Sequence, residues 1–263
     1  ISSNKMFVFG AAGFITLRNI STPGNIAFEA PEYWAGVSDE TPIALVADLD
    51  GDGRPEMIAG EGSACSCGTA RAMWIVQNIS TPGNIEFGAS QSVSFLVDGF
   101  AGVSASDLDN DGKPELLVSW FFGDRFSIIK NNSTPGNISF TDLGTISTGQ
   151  YNRALKGVDI NLDGKNDLIW KKSGGGIYIR LNTNSGGPLA IADFTTEVIL
   201  TSDLGSNGGF SIVDFNGDGK PDIASTDDAD VGVYESVFTG GAFNANSFIP
   251  AYQVLGTGAS SGG

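Results

Sequence analysis

Asp48-Leu49-Asp50-Gly51-Asp52-Gly53-Arg54-Pro55-Glu56 is the first of four closely similar stretches in this chain of 263 residues. The other copies occupy residues 107–115, 159–167 and 214–222, and all four follow the pattern D-x-[DN]-x-D-G-x-x-[DE]. Successive copies begin 59, 52 and 55 residues apart. Such regular repetition indicates an array of similar structural units.

Side-chain oxygens recur at positions 1, 3, 5 and 9 of each copy. Calcium binds six to eight oxygen ligands at about 2.3–2.6 Å, and the glycine at position 6 permits the tight bend that brings the acids together. Position 7 would contribute its backbone carbonyl, so a basic side chain is tolerated there. The sequence therefore predicts about four calcium sites, with the ligands Asp48, Asp50, Asp52, Arg54, Glu56, Asp107, Asp109, Asp111, Lys113, Glu115, Asp159, Asn161, Asp163, Lys165, Asp167, Asp214, Asn216, Asp218, Lys220 and Asp222.

A metal-free acidic turn is the alternative interpretation, because Asp-Gly pairs are common in turns. Four copies at near-regular spacing favour calcium. Asn161 and Asn216 replace the acid at position 3 in the last two copies, so we expect weaker calcium binding there. An EF-hand is excluded, because it needs flanking helices and a Glu at position 12, which here is Ala59, Val118, Trp170 and Ser225.

Short apolar runs flank the loops, as at residues 43–47, and such runs are typical of strands. A second phrase, Ser-Thr-Pro-Gly-Asn, recurs at residues 21–25, 80–84 and 133–137 and has strong turn chemistry. Each unit thus contains a strand, an acidic loop, a strand, a variable loop, a strand, this turn and a last strand that starts at a Phe. Matches to N-x-[ST] are interpreted as parts of the turn, not as glycosylation sites; they begin at Asn19, Asn78, Asn131, Asn132 and Asn137.

Four antiparallel strands per unit at this period are typical of β-propeller blades. We therefore predict an all-β, single-domain propeller over residues 1–263, with five blades or, alternatively, a fragment of a larger propeller. The repeats span about residues 1–41 (partial), 42–100, 101–152, 153–207 and 208–256, followed by a flexible tail at 257–263. The partial repeat is expected to hold strands at 6–9, at 14–17 and from Ile26 onward, and residues 251–255 could complete the last blade or the first.

Composition narrows the classes of function. The formal net charge is −16, and 14 of the 30 acids lie in the four loops, which disfavours nucleic acid as a partner. The chain has no His, so Ser-His-Asp and Cys-His catalysis are excluded. No apolar run is long enough to insert into a membrane. Cys65 and Cys67 could form a local disulfide or remain free, and the absence of an initial Met suggests a mature form or an excised domain.

The acidic phrase, followed by an apolar strand and a Gly-rich loop, resembles the FG-GAP/VCBS repeat, and Phe9-Gly10-Ala11-Ala12 is similar to the Phe-Gly part of that motif. That repeat builds the β-propellers of integrin α subunits and of many bacterial surface and secreted proteins. The resemblance covers nearly the whole chain. It implies calcium hairpins on one face and ligand-binding loops on the other, at residues 60–71, 119–125, 171–176 and 226–231.

Within those loops, Trp120 and Trp170 are expected to wedge between blades from equivalent ends of the second strand. This leaves Phe121, Phe122, Asp124 and Arg125 as candidate ligand-binding residues. Aromatic faces stack on sugar rings, and charged groups hydrogen-bond to hydroxyls.

The family includes adhesion modules, lectins and domains of polysaccharide lyases, so fold does not fix function. The favoured hypothesis is a calcium-stabilised, non-enzymatic binding or adhesion module, extracellular or on a bacterial cell surface, that recognises a glycan or a surface protein as part of a larger polypeptide. A lyase-like polysaccharide-degrading enzyme or its accessory domain is one alternative. A structural spacer of a large surface protein is the other.

Overall fold

The computed structural model describes residues 5–10, 13–35, 42–61, 71–82, 84–95, 100–120, 123–149, 152–172, 175–200, 208–226 and 231–254. The chain divides into two compact units, residues 1–47 with 53–100, and residues 48–52 with 101–263. Both units consist of antiparallel β-sheets, and the described helices are single 3-10 turns at Ile191–Asp193 and Ala245–Ser247. The all-β prediction is therefore confirmed.

Five antiparallel sheets account for the described strands, and each sheet is built from strands consecutive in sequence. Sheet 1 contains β1 (Lys5–Gly10), β2 (Gly13–Arg18) and β3 (Glu32–Ala35). Sheet 2 contains β4 (Pro42–Ala47), β5 (Glu56–Glu61), β6 (Arg71–Asn78) and β7 (Phe87–Phe95). Sheet 3 contains β8 (Phe100–Ser106), β9 (Glu115–Trp120), β10 (Arg125–Asn131) and β11 (Phe140–Ser147). Sheet 4 contains β12 (Asn152–Val158), β13 (Asp167–Lys172), β14 (Ile177–Asn182) and β15 (Phe194–Leu200), and sheet 5 contains β16 (Phe210–Val213), β17 (Asp222–Thr226), β18 (Val231–Ser236) and β19 (Phe248–Val254).

The order of parts within each four-stranded sheet is the one predicted. An acidic loop joins the first strand to the second in sheets 2 to 5, and a Phe begins every fourth strand, at Phe87, Phe140, Phe194 and Phe248. The C-terminal segment forms the fourth strand of sheet 5, paired with β18, so the first of its two predicted placements is correct.

The prediction for the first repeat was partly wrong. Its first two strands lie where expected, but its last strand begins at Glu32 and not at Ile26. Residues 26–28 instead follow the Ser-Thr-Pro-Gly turn, and Phe28 forms an isolated bridge with Asn19. The Ile26 side chain is 84% exposed, so it has no core to pack against at the point where the fourth strand was expected.

Apolar side chains fill the space between neighbouring sheets of the second unit. One buried cluster joins Leu117 and Phe126 of sheet 3 to Leu155 and Trp170 of sheet 4. A second cluster joins Ile169 and Ile177 of sheet 4 to Phe210 and Ile223 of sheet 5. Successive residues of β13 face opposite clusters, as the pleat of a strand requires. In the first unit, Met57, Val76 and Phe87 form a smaller core within sheet 2.

The two tryptophans do not occupy equivalent positions. Trp170 is fully buried between sheets 3 and 4 and stacks on Tyr178 with ring centroids 5.8 Å apart, as expected for a wedging residue. Its counterpart in sheet 3, counted from the start of the second strand, is Val118, whereas Trp120 lies two residues further along. The predicted equivalence was wrong because it was judged from the ends of the strands, and these ends differ between repeats.

Candidate metal-binding loops

The residue at position 1 shapes each acidic loop. Asp107 accepts hydrogen bonds from the backbone N–H groups of Asp111 and Gly112, at 3.2 and 2.9 Å. Asp159 and Asp214 make the equivalent bonds at 2.8–3.2 Å. The glycine at position 6 has φ between 82° and 86° in all four loops, a left-handed conformation that other residues rarely adopt. Glycine is therefore needed at position 6, as predicted, because the backbone there has a positive φ.

The carboxylate at position 9 is the first residue of the second strand and is buried in every copy. Glu115 accepts the N–H of Leu108 at 2.8 Å through one oxygen and the N–H of Asn131 at 3.5 Å through the other. Asp167 and Asp222 form the same two bonds at 2.7–3.1 Å. Position 9 therefore ties the start of its loop to the end of the third strand, in addition to any role as a metal ligand.

In the third loop, the acid at position 9 has a raised pKa. Burial raises the pKa of Asp167 to about 7, even though the N–H groups of Asn182 and Ile160 lower it. The charges of Asp163 and Asp159 raise this pKa further. A cation bound beside Asp167 would stabilise the ionised carboxylate and oppose this shift.

The acids of the second loop fit a hard divalent cation. Oxygen atoms of Asp107, Asp109 and Glu115 all lie within 4.8 Å of one another. Oδ1 of Asp109 is buried and has no hydrogen-bond partner among the described residues. A buried carboxylate oxygen without a partner is costly, and it is also the kind of ligand that calcium prefers.

These loops also identify the family. A sequence model of the FG-GAP-like repeat matches residues 48–118 and 159–225, which make up just over half of the chain and include all four loops. The chain belongs to the FG-GAP-like repeat family. The resemblance seen in the sequence is thus confirmed, although no curated protein matches the chain.

Solved structures similar to this FG-GAP-like protein include two carbohydrate-related proteins of low identity. A lectin from Agrocybe aegerita, described as recognising non-reducing terminal N-acetylglucosamine, has a TM-score of 0.49 and 15% identity, over 96% of this chain and 77% of the lectin chain. The Bacillus licheniformis rhamnogalacturonan lyase PL11 has a TM-score of 0.43 and 14% identity, over 85% of this chain and 55% of the lyase chain. Likeness at this level does not identify a ligand.

An asparagine at the end of the third strand clamps the FG-GAP-like loops, and the sequence pattern had placed it only in a turn. The Nδ2 atom of Asn131 donates to the carbonyl of Pro114 in its own repeat, at 3.0 Å, and to that of Leu49 in the preceding loop, at 2.7 Å. Asn182 makes the same two contacts with Asn166 and Leu108, at 3.0 and 2.7 Å. We refer to Asn78, Asn131 and Asn182 as the clamp asparagines. They could have been found from the sequence, since each lies two residues before the Ser-Thr-Pro-Gly phrase or its remnant.

Basic residues at position 7 also contact this turn. The side chains of Arg54 and Lys113 donate to the carbonyls of Asn78 and Ser133, both at 3.0 Å. In the loop of sheet 5, Lys220 lies 2.7 Å from the Asp218 carboxylate. The basic side chain at position 7 is therefore compatible with the loop and also forms a hydrogen bond or an ion pair.

Lys130 is the second residue that the pattern did not reveal. Its Nζ donates to Asp109 at 2.5 Å, to Asp111 at 2.9 Å and to Glu115 at 3.1 Å. Burial alone would lower the pKa of Lys130, but the hydrogen bonds to these three acids outweigh that effect and raise it above its ordinary value. Three of the acids predicted to bind calcium in this loop thus contact a cation that belongs to the chain.

The opposite end of β9 carries the predicted ligand-binding residues, of which Asp124 and Arg125 are described. Their side chains form an ion pair at 3.3 Å and are each about half exposed. The guanidinium of Arg125 lies 5.1 Å from the centre of the Trp120 ring, and Trp120 donates to Ser127 at 3.1 Å. Phe121 and Phe122 lie outside the described residues, as do Cys65 and Cys67.

No helix among the described residues is long and apolar enough to cross a membrane.

Proposed function

We propose that this chain is a calcium-stabilised β-propeller module of an extracellular bacterial protein, and that it binds a glycan without catalysing a reaction. In this proposal the five sheets are its blades. The observation that carries the metal part is the group of carboxylates in the second loop, where a buried oxygen of Asp109 lacks a hydrogen-bond partner among the described residues. Membership of the FG-GAP-like family and the same loop position in four sheets support it.

The acids at positions 1, 3, 5 and 9 would hold one ion in each loop, with the backbone carbonyl at position 7. A bound ion neutralises acids that repel one another and favours the folded loop. If free calcium is about twentyfold above the dissociation constant, each site contributes roughly 1.8 kcal/mol to the free energy of unfolding. We assign no catalytic role to these ions, because the four loops are alike, whereas a catalytic metal usually occupies one distinct open site.

The glycan part of the proposal rests on the end of the second strand that is remote from the acidic loop. There Trp120, Asp124 and Arg125 of sheet 3 combine an aromatic ring with a half-exposed ion pair. Aromatic faces stack on the apolar faces of sugars, and charged side chains hydrogen-bond to their hydroxyls. The backbone carbonyl of Asp124 accepts the N–H groups of Thr148 and Gly149, at 2.5 and 3.2 Å, which fixes the loop that presents these side chains.

Calcium binding is tested by isothermal titration of the metal-stripped protein and by thermal melting with and without a chelator. We expect about four ions per chain and a melting temperature at least about 10 °C lower in chelator, since 1 kcal/mol corresponds to about 2–4 °C in a domain of this size. Equal melting temperatures in calcium and in chelator would contradict the proposal.

Glycan binding is tested on a glycan array in the presence of calcium, with the variants Asp124→Ala and Arg125→Ala. Both variants should reduce binding at least about tenfold, as expected for loss of a charged hydrogen bond. Arg18→Ala is the matched control, because it removes the ion pair with Glu29, which is equally exposed but lies in sheet 1 and its turn. If the folded, calcium-loaded chain binds no glycan, the glycan part of the proposal fails, and a protein-binding module or a structural spacer becomes the favoured function.

A further inference from the structure

The residue just before the clamp position differs sharply between the four repeats. In each third strand the clamp position pairs with the Phe that begins the fourth strand: Asn78 with Phe87, Asn131 with Phe140, Asn182 with Phe194, and Ser236 with Phe248. The residue before it, which we term the flanking residue, pairs with the residue after that Phe in sheets 3 to 5, whereas in sheet 2 a register shift falls at this position. The four flanking residues are Gln77, Lys130, Leu181 and Glu235.

In sheet 3 the flanking residue is in direct contact with the acidic loop. Lys130 Nζ lies 2.5 Å from Asp109, 2.9 Å from Asp111 and 3.1 Å from Glu115. An ammonium group has three N–H donors, and each acid accepts one of them. The Lys130 side chain is 17% exposed and the Glu115 side chain is fully buried, so solvent screens these contacts only weakly.

In sheet 5 the flanking residue has the opposite charge. Glu235 accepts a hydrogen bond from Nδ2 of Asn216 at 3.1 Å. Asn216 stands at position 3, where the first two loops have Asp50 and Asp109. A carboxylate is thus restored next to the position at which this loop has lost one.

We propose that the flanking residue sets how strongly each loop binds a divalent cation, with Lys130 acting as a tethered cation that competes with calcium and Glu235 supplying the carboxylate that Asn216 does not provide. This inference rests on the calcium binding proposed above. It predicts that the second loop keeps its shape without metal, and that the fourth loop binds calcium more strongly than its Asn at position 3 suggests.

The affinities of single loops are measured by titrating the metal-stripped protein with calcium and following the amide resonances of the position-6 glycines. Gly53, Gly112, Gly164 and Gly219 each report on one loop, because each is part of the turn that would wrap the ion. Lys130→Gln should tighten calcium binding at Gly112 at least about tenfold, since it removes a positive charge about 3 Å from three ligand oxygens. Glu235→Gln should weaken binding at Gly219 by a similar factor.

Gln77→Lys is the matched control, because it places the same cation directly before Asn78, which contacts Glu56 and Pro55 of the first loop, and should weaken binding at Gly53 alone. A second readout, the melting temperature of the metal-free protein, should fall in Lys130→Gln, because Asp109, Asp111 and Glu115 then lose their counter-ion. If the wild type binds calcium but all three variants leave the affinities unchanged, the inference is overturned while the proposed function stands. If the wild type binds no calcium at any glycine, the proposed metal sites fail, and with them the competition inferred for Lys130.

Discussion

The side-chain amide of Asn131 links two acidic loops that lie more than fifty residues apart in sequence. Its Nδ2 donates hydrogen bonds to the carbonyls of Leu49 and Pro114, and its Oδ1 accepts a hydrogen bond from the N–H of Ser133 at 2.9 Å. The residue is fully buried, so these bonds are shielded from solvent. A recurring asparagine in a turn phrase is thus a connection between repeats.

We expect Asn131→Ala to lower the free energy of unfolding by about 2–3 kcal/mol, because the carbonyls of Leu49 and Pro114 and the N–H of Ser133 lose their hydrogen bonds to Asn131. Asn132→Ala is the control, since Asn132 is the next residue of the same phrase but is exposed, and its side chain donates to the Thr141 hydroxyl. Its effect should stay within about 0.5 kcal/mol. Chemical denaturation in calcium measures both values, and equal losses in the two variants would contradict the assigned role.

Packing between strands depends on a close approach at Gly157 of β12. A Cβ atom on this residue would lie 2.5 Å from the Cβ of Ser106, at the end of β8, and 3.3 Å from Leu108. Real Cβ atoms do not approach this closely, and the nearest obstacle is a short side chain that cannot swing away. Sheets 3 and 4 therefore need a residue without a side chain at this point.

Gly157→Ala should destabilise the protein by about 1–3 kcal/mol, the usual cost of overpacking. Gly187→Ala is the control, because Gly187 has ordinary φ and open space around its Cβ position. The second substitution Ser106→Gly should restore part of the lost stability, since it removes the obstructing side chain. If Ser106→Gly has the same effect with and without Gly157→Ala, the two residues are not coupled.

The sequence predicted the strands and loops of sheets 2 to 5 well, because the Asp-Gly and Ser-Thr-Pro-Gly phrases recur at fixed offsets from apolar runs. The predictions were wrong or incomplete where the structure depends on strand register or on contacts between residues distant in sequence. The start of β3 at Glu32 and the offset between Trp120 and Trp170 depend on strand pairing. The position of Asn131, two residues before the Ser-Thr-Pro-Gly phrase, recurs in the sequence, but its clamp contacts and those of Lys130 depend on residues brought together by folding.

The charge of the molecule is concentrated where the metal would bind. Fourteen of its 30 acids lie in the four loops, and the net charge is −16. Four calcium ions would add eight positive charges and so halve that net charge. Self-repulsion of this kind destabilises a compact state and is weakened by salt.

We therefore expect potassium chloride to stabilise the metal-free protein more than the calcium-loaded protein. Raising the salt from about 10 mM to about 0.1 M shortens the screening length from about 30 Å to about 10 Å, and the metal-free melting temperature should rise by several degrees. The calcium-loaded protein should respond about a quarter as strongly, because the energy of self-repulsion scales with the square of the net charge. An equal response in both states, measured by calorimetry, would show that the loops are not the main source of repulsion.

The clamp also bears on how this protein can be produced. Asn78 and Asn131 each begin an Asn-x-Ser triplet, and a eukaryotic secretory pathway would attach an oligosaccharide to the same Nδ2 atom that makes the buried contacts. Because that attachment takes place on chains that have not yet folded, the sugar would occupy the atom before the carbonyls of Pro55 or Pro114 could reach it. We therefore expect secreted production in yeast or insect cells to yield chains with weakened clamp contacts, whereas a bacterial host leaves both N–H donors of the amide available.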